Sequence, residues 1–265
     1  MLIAFPVCLM AQYKPIEKEK SKNDKKAEKK ERVNKLIKQE EEGMLIFQKQ
    51  NIFGFKLYSD GWAALYEKGI MKTVDKTTLF MAEFGEHKSN KEHKQPNVDQ
   101  NGISFGNSFI YGKVNNFFFL KLGVGQSILL GGKGNKNGVA VSAIYGGGLS
   151  LGLLKPYYVK ILDVNSKEQK IKYGENAVND SLFLYGPFTG GAGVFKGFNE
   201  PKVKPGVFVK GALRFDYGKY NETVSAIEAG FNAEYYTSSM PIMAIVKAKK
   251  LFLNVFIAIE FGKRK

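Results

Sequence analysis

The amino-acid sequence predicts an all-β fold: a transmembrane antiparallel β-barrel of about ten strands, preceded by a charged N-terminal arm. Three observations lead there. From Asn51 onward apolar residues recur with period two, the spacing that lines one face of a strand. No apolar block suits a spanning helix. The longest uncharged stretch, Asn137 to Leu154, carries Gly138, Gly146, Gly147, Gly148 and Gly152, a poor composition for any helix. The opposite face of the strands mixes ionic with small residues, as the inside of a membrane barrel does.

The chain opens with MLIAFPVCLMA, residues 1–11, apolar and ending in a small residue. This resembles the apolar and cleavage regions of a secretory signal, cut after Ala11, without the basic segment that usually precedes them. Cys8 lies inside this segment and is the only cysteine, so a mature chain lacking it has no disulfide and no thiolate metal site. Residues 12–43 form a charged tether, partly helical by pattern. Lys14 to Glu42 holds eleven basic and eight acidic residues, with only Val33, Leu36 and Ile37 at helical spacing. Such a run buries too little apolar surface to fold alone. The barrel is assigned to residues 44–265.

The strands follow in order. In Asn116–Gln126, Phe118, Leu120, Leu122 and Val124 alternate with Lys121, Gly123 and Gly125. In Val207–Gly218, Val207, Val209, Leu213, Phe215 and Tyr217 alternate with Lys210, Ala212, Arg214 and Asp216. In Thr223–Tyr236, Ile227, Ala229, Phe231, Ala233 and Tyr235 alternate with Glu228, Asn232 and Glu234. The last strand sets Leu251, Leu253, Val255, Ile257, Ile259 and Phe261 against Asn254, Phe256, Ala258 and Glu260. Strand candidates lie near 51–59, 62–72, 77–87, 104–113, 116–130, 138–161, 206–218, 222–237 and 249–262. An antiparallel barrel with both ends on one side needs an even number. Residues 139–153 keep one parity throughout, favouring a single strand, but a reversal at Gly146-Gly147-Gly148 would give ten. Ten is the expectation, with eight or twelve open.

Trp62, Tyr66, Tyr157, Tyr158, Tyr217, Tyr220, Tyr235 and Tyr236 suit interfacial girdles. Val114-Asn115 and Lys219-Tyr220-Asn221 read as short periplasmic turns, whereas 87–102, 163–205 and 237–249 read as long external loops.

Lys121, Lys210, Arg214, Asp216, Glu228, Glu234 and Glu260 share the inward parity. Unpaired charges inside a narrow barrel are costly, so these residues are expected to form an ionic network filling the lumen. Pairing across the turn after Gly218 sets Arg214 opposite Glu228 or one diagonal step away.

The stretch GGKGNKNGVAVSAIYGGGLSLGLLKPYY, Gly131 to Tyr158, resembles a block in outer-membrane β-barrel proteins of Bacteroidota-type Gram-negative bacteria. GWAALYEKG, KTTLFMAEF and EHKSNKEHK, within Gly54 to Lys94, are similar to theirs as well. The resemblance covers most of the chain after residue 44. It implies a barrel fold and an outer-membrane location, and it brings no catalytic residues.

Other motifs have plainer readings. Gly131–Gly138 is glycine-rich with two lysines, but a phosphate-binding loop needs Lys followed by Ser or Thr at a helix start, and here a strand follows. It reads as a hairpin loop whose lysines meet lipopolysaccharide phosphates if it lies outside. Glu86-His87-Lys88 and Glu92-His93-Lys94 repeat a triplet that could supply zinc ligands; the lysines oppose a cation, and a solvated loop is expected. The net charge of +15 invites nucleic acid, but the aromatics fall on strand faces, so none is expected. No metal or cofactor is expected either. The expected partners are outer-membrane lipid, including lipopolysaccharide, and other envelope proteins. The leading expectation is a non-enzymatic barrel with a structural, scaffold or partner-binding role. An outer-membrane enzyme of lipid acyltransferase or protease type, or a small channel, remains the alternative.

Overall fold

The computed structural model describes residues 47–96, 107–133, 138–163, 167–219 and 222–265; the signal-like segment, the tether and Tyr220 lie outside them. Eight antiparallel strands close into a barrel: β1 (Lys49–Tyr58), β2 (Gly61–Met71), β3 (Lys76–His87), β6 (Asn115–Gly131), β7 (Ala140–Pro156), β11 (Lys202–Asp216), β12 (Thr223–Met240) and β13 (Lys249–Arg264). The wall runs β1-β13-β12-β11-β7-β6-β3-β2 and back to β1. Outside the barrel, β4 (Lys94–Gln95) pairs with β5 (Phe109–Ile110), and β8 (Tyr158–Leu162), β9 (Glu168–Lys172) and β10 (Phe188–Gly191) form a small sheet in the order β10-β8-β9. Helix α1 (Ala177–Tyr185) accompanies that sheet.

Burial alternates along each strand with an inverted chemistry. In β13 Leu251, Leu253, Val255, Ile257, Ile259 and Phe261 are exposed, while Asn254 and Glu260 are buried. Leu253 is 70% exposed and Leu149 on β7 is 66% exposed. A soluble sandwich would bury that face against a second sheet, but here the sheet closes on itself and the apolar face points outward. Closure satisfies every strand edge, and the apolar wall makes hydrocarbon its solvent. The chain is a transmembrane β-barrel of the outer-membrane type. Among the described residues no helix is long and apolar enough to cross a membrane.

The strand number is eight, not ten. Residues 140–156 form one unbroken strand, paired with β6 on one side and β11 on the other, so there is no reversal at Gly146–Gly148. Of the stretch 104–113, the described part contributes only the short β5. The glycines that suggested a turn serve the interior instead. Gly123 and Gly125 on β6, and Gly146, Gly148 and Gly152 on β7, face inward, where large side chains from other strands occupy the room. A Cβ on Gly123 would lie 2.7 Å from the Phe208 ring, and one on Gly152 would lie 2.5 Å from Met240 Cε.

Both described chain ends, and the short connections β2–β3, β6–β7 and β11–β12, lie at one end of the barrel. The long connections β3–β6 and β7–β11, with β1–β2 and β12–β13, lie at the other. Short turns face the periplasm and long loops face outside. Val114-Asn115 is therefore no periplasmic turn but the external entry to β6. β6 ends and β7 begins at the periplasmic end, so Lys133 does not face external lipopolysaccharide; it turns inward, its Nζ 3.4 Å from Asp216 Oδ1, and Lys136 lies outside the described residues. Of the expected girdle, Tyr66, Tyr217 and Tyr235 are exposed on the wall, and Trp62 stacks on Phe55 at 6.0 Å. Tyr236 is buried in the lumen, and Tyr157 and Tyr158 belong to the loops.

The external loops carry a core of their own. Phe109, Val159, Ile161, Ile171 and Phe183 bury together between the small sheet and α1. The helix is capped by Asn176, whose Oδ1 accepts from the Asn179 N–H at 2.7 Å, satisfying one of its free first-turn donors.

Candidate functional site in the lumen

The lumen is layered. At the periplasmic mouth Arg264 reaches Asp216 at 2.5 Å, beside a cavity of about 40 Å³ that Gln50, Thr77 and Ser127 also line. Above sit two small apolar clusters, Ile52 with Val224 and Ala226, and Leu79 with Met81 and Ile144. The middle is ionic. Near the external mouth an aromatic layer of Tyr58, Phe117, Phe119, Tyr236, Phe252 and Phe256 closes over it.

The ionic layer begins from strand parity, which sends Lys56, Glu67, Glu83, Lys121, Lys210, Arg214, Glu228, Glu234 and Glu260 inward, each almost fully buried. Arg214 and Glu228 are direct partners in the β11–β12 register. Arg214 Nη2 donates to Glu228 Oε2 at 2.7 Å and to Glu260 Oε1 at 3.0 Å, and also reaches Glu67 Oε2 at 2.5 Å. Its Nε lies 2.6 Å from Glu260 Oε2, an ion pair without the alignment of a hydrogen bond. Lys210 Nζ bridges Glu67 at 3.0 Å and Glu228 at 2.9 Å. Lys56 pairs with Glu83 at 2.5 Å, and Lys121 with Glu234 at 2.6 Å. Tyr58 and Tyr236 donate hydroxyl protons to Glu83 and Glu234 at 2.6 and 2.7 Å.

Of the residues singled out from sequence, Lys210, Arg214, Glu228 and Glu260 meet in one cluster, Lys121 and Glu234 pair closer to the external side, and Asp216 sits apart at the periplasmic mouth. Sequence reasoning missed Lys56, Glu67 and Glu83, although they carry the same alternation in β1, β2 and β3, strands whose parity was not followed. It also placed His87 in a solvated loop. His87 is the last residue of β3 and fully buried. Its Nδ1 lies 2.8 Å from Asp60 Oδ1 and its Nε2 3.0 Å from Glu234 Oε1. Both ring nitrogens are thus engaged by carboxylates, one from the β1–β2 turn and one from β12. Lys88 and His93 remain exposed.

This arrangement offers little to a reactant. Oxygens of Glu67, Glu228 and Glu260 converge within 4.8 Å of one another, but Arg214 and Lys210 lie among them and supply the positive charge that a divalent ion would bring. Ser59, Asp60 and His87 gather at the external mouth. The Ser59 hydroxyl donates to Asn254 at 3.1 Å, and both His87 nitrogens are engaged, leaving no free base to take a serine proton.

No protein-family profile and no curated protein matches the chain. Solved structures do. Ail, the attachment invasion locus protein of Yersinia pestis, is 9% identical, covering 83% of this chain and 100% of its own with a TM-score of 0.37. The N-terminal barrel domain of Pseudomonas aeruginosa OprF is 10% identical, covering 82% and 98%, TM-score 0.37. Neisserial surface protein A is 9% identical, covering 82% and 95%, TM-score 0.34. The likeness is remote, and the eight-strand closure and the apolar wall stand without it.

Outside the lumen, Lys172 and Glu200 pair in the external loops. Their hydrogen bond holds the Glu200 carboxyl below and the Lys172 ammonium above their ordinary values. Burial pushes the Tyr157 phenol up; its hydroxyl accepts from the Ile110 N–H at 3.1 Å.

Proposed function

We propose that the chain is a non-enzymatic, non-conducting scaffold of the outer membrane, akin to barrels of Bacteroidota-type bacteria, that presents its external loops to another envelope component. The observation that carries this reading is the contrast between the two halves of the molecule. The lumen is filled with paired charge and aromatic rings, a construction suited to rigidity, while the external end carries an ordered cap with its own core. Val178 and Tyr185 on α1 are 68% and 83% exposed, and exposed apolar residues above a membrane surface suit a protein partner. The sequence-level similarity of residues 54–94 and 131–158 supports the bacterial kinship, and the charged run of residues 12–43 offers a further segment for partner contact.

Planar-bilayer recordings and capture from native outer membranes test this together. The purified barrel is expected to give little conductance and to retain a fixed partner, which is lost when Val178 and Tyr185 are changed to Ser. Steady, large conductance from the native protein would make it a channel, and undiminished capture by the variant would remove the cap from the interface.

A further inference from the structure

From the geometry of the external rim we infer a binding site for the phosphate of a lipid headgroup in the outer leaflet. This deepens the reading of the loop end as external and rests on it. A cavity of about 530 Å³ lies there, of the size typical of small-molecule pockets. Five lysines, Lys88, Lys94, Lys113, Lys155 and Lys196, line it against two carboxylates, Glu86 and Glu92. Lys113 is paired with Glu92 at 2.6 Å, and Lys88 approaches Glu86 at 3.7 Å. No carboxylate of the described residues lies within ion-pair distance of Lys94, Lys155 or Lys196. Lys155 is almost fully buried; its ammonium donates to the Val194 carbonyl and lies 4.3 Å from the Phe198 ring, and the Glu86 carboxylate acts on it from beyond ion-pair distance. Burying a cation away from a close counter-charge is costly, and an anion entering the cavity would meet Lys155 there, with the exposed Lys94 and Lys196 beside it.

Two observations place that anion on a lipid. First, the cavity is built on the outer surface of the wall. Glu86, Asn116 and Lys155 have the outward parity of Phe84, Phe118 and Leu153, and Asn116–Lys155 and Phe118–Leu153 are successive outward pairs of one register. The wall therefore changes from apolar to basic within one step, at the level where hydrocarbon gives way to headgroups. Second, the loop over Lys155 is amphipathic: Val194 is 75% and Phe195 89% exposed, and Phe198 is exposed beside them, with Lys196 between. Apolar tips flanking a lysine match the acyl boundary on one side and the phosphate layer on the other.

The test uses the full mature chain in phosphatidylcholine nanodiscs doped with diphosphorylated lipid A or its dephosphorylated form, with bound lipid read by native mass spectrometry. The diphosphorylated form is expected to be retained about tenfold better, a difference on the order of 1.4 kcal/mol. Changing Lys94, Lys155 and Lys196 to Gln should abolish the preference, and Lys72→Gln at the periplasmic end should leave it. Because Lys155 is buried, the double variant K94Q/K196Q is measured in parallel, both its sites being exposed. It should lose part of the preference while keeping the heat-dependent gel shift of a folded barrel. Equal retention of dephosphorylated lipid, an unchanged preference in the double variant, or displacement by inorganic phosphate alone overturns the proposal. Conductance and partner capture on the same preparation report on the scaffold reading independently.

Discussion

Arg214 is the residue on which the lumen network most depends, and replacing it tests the network directly. Its guanidinium serves Glu67, Glu228 and Glu260 together. Glu67 and Glu228 keep Lys210 when it is lost, but Glu260 keeps no ion-pair partner among the described residues. Arg214→Met should therefore cost on the order of 3–5 kcal/mol, the usual penalty for stranding a buried charge. Glu260→Gln should cost about 1 kcal/mol or less, because Arg214 retains two carboxylates and a buried negative charge disappears. The double variant should recover at least about 1 kcal/mol of the Arg214 penalty, a coupling readable in a double-mutant cycle. Reversible urea unfolding in lipid vesicles gives the free energies, with Trp62, the only tryptophan, reporting from the outer wall. Additivity of the two substitutions within about 0.5 kcal/mol would refute the pairing and with it the strand register.

Three further outcomes are expected. Gly123→Val should destabilise by about 1–3 kcal/mol by overfilling the space taken by Phe208, and a companion Phe208→Leu should return part of that in the same unfolding assay; no recovery would mean that the glycine floor is not a packing device. The hydrogen-exchange protection factors of residues 168–172, taken relative to the intrinsic rate at each pH, should fall in acid: Glu200 has a depressed folded pKa, so its contribution is present above the ordinary carboxylate range and fades as pH falls through the lowered value, and Glu200→Gln should erase that dependence. A chain beginning at Gly43 should fold into detergent or lipid with the heat-dependent gel shift of the full mature chain, since β1 begins only at Lys49; failure to fold would give residues 12–42 a structural role.

Much of the fold was legible because lipid reads side chains with period two, and a parity once assigned holds along a whole strand. The β11–β12 turn then left the register little freedom, which is why Arg214 and Glu228 could be placed as neighbours. The strand count was less legible. A run of glycines is the usual mark of a turn, and only three dimensions reveal that Gly146 and Gly148 face Met81 and the β6 backbone across a crowded interior. His87 was misjudged for a related reason. Its neighbours in sequence are charged and loop-like, whereas its partners, Asp60 and Glu234, come from 27 and 147 positions away. Nothing local announces such a contact. The rim cavity was equally invisible, since its lysines come from two separate loops and one strand end.

The ionic struts also bear on how the barrel is completed. Lys210 on β11 and Glu67 on β2 stand on opposite sides of the ring, as do His87 on β3 and Glu234 on β12. Neither pair lies on neighbouring strands, so these four side chains meet only when the sheet curls round on itself, whereas Arg214 and Glu228 already face each other within the β11–β12 hairpin. A slip of one residue at that seam would turn Lys56 or Glu260 toward hydrocarbon. Closure thus carries a check on register: only the correctly joined ring brings Lys210 to Glu67 and His87 to Glu234 across the lumen.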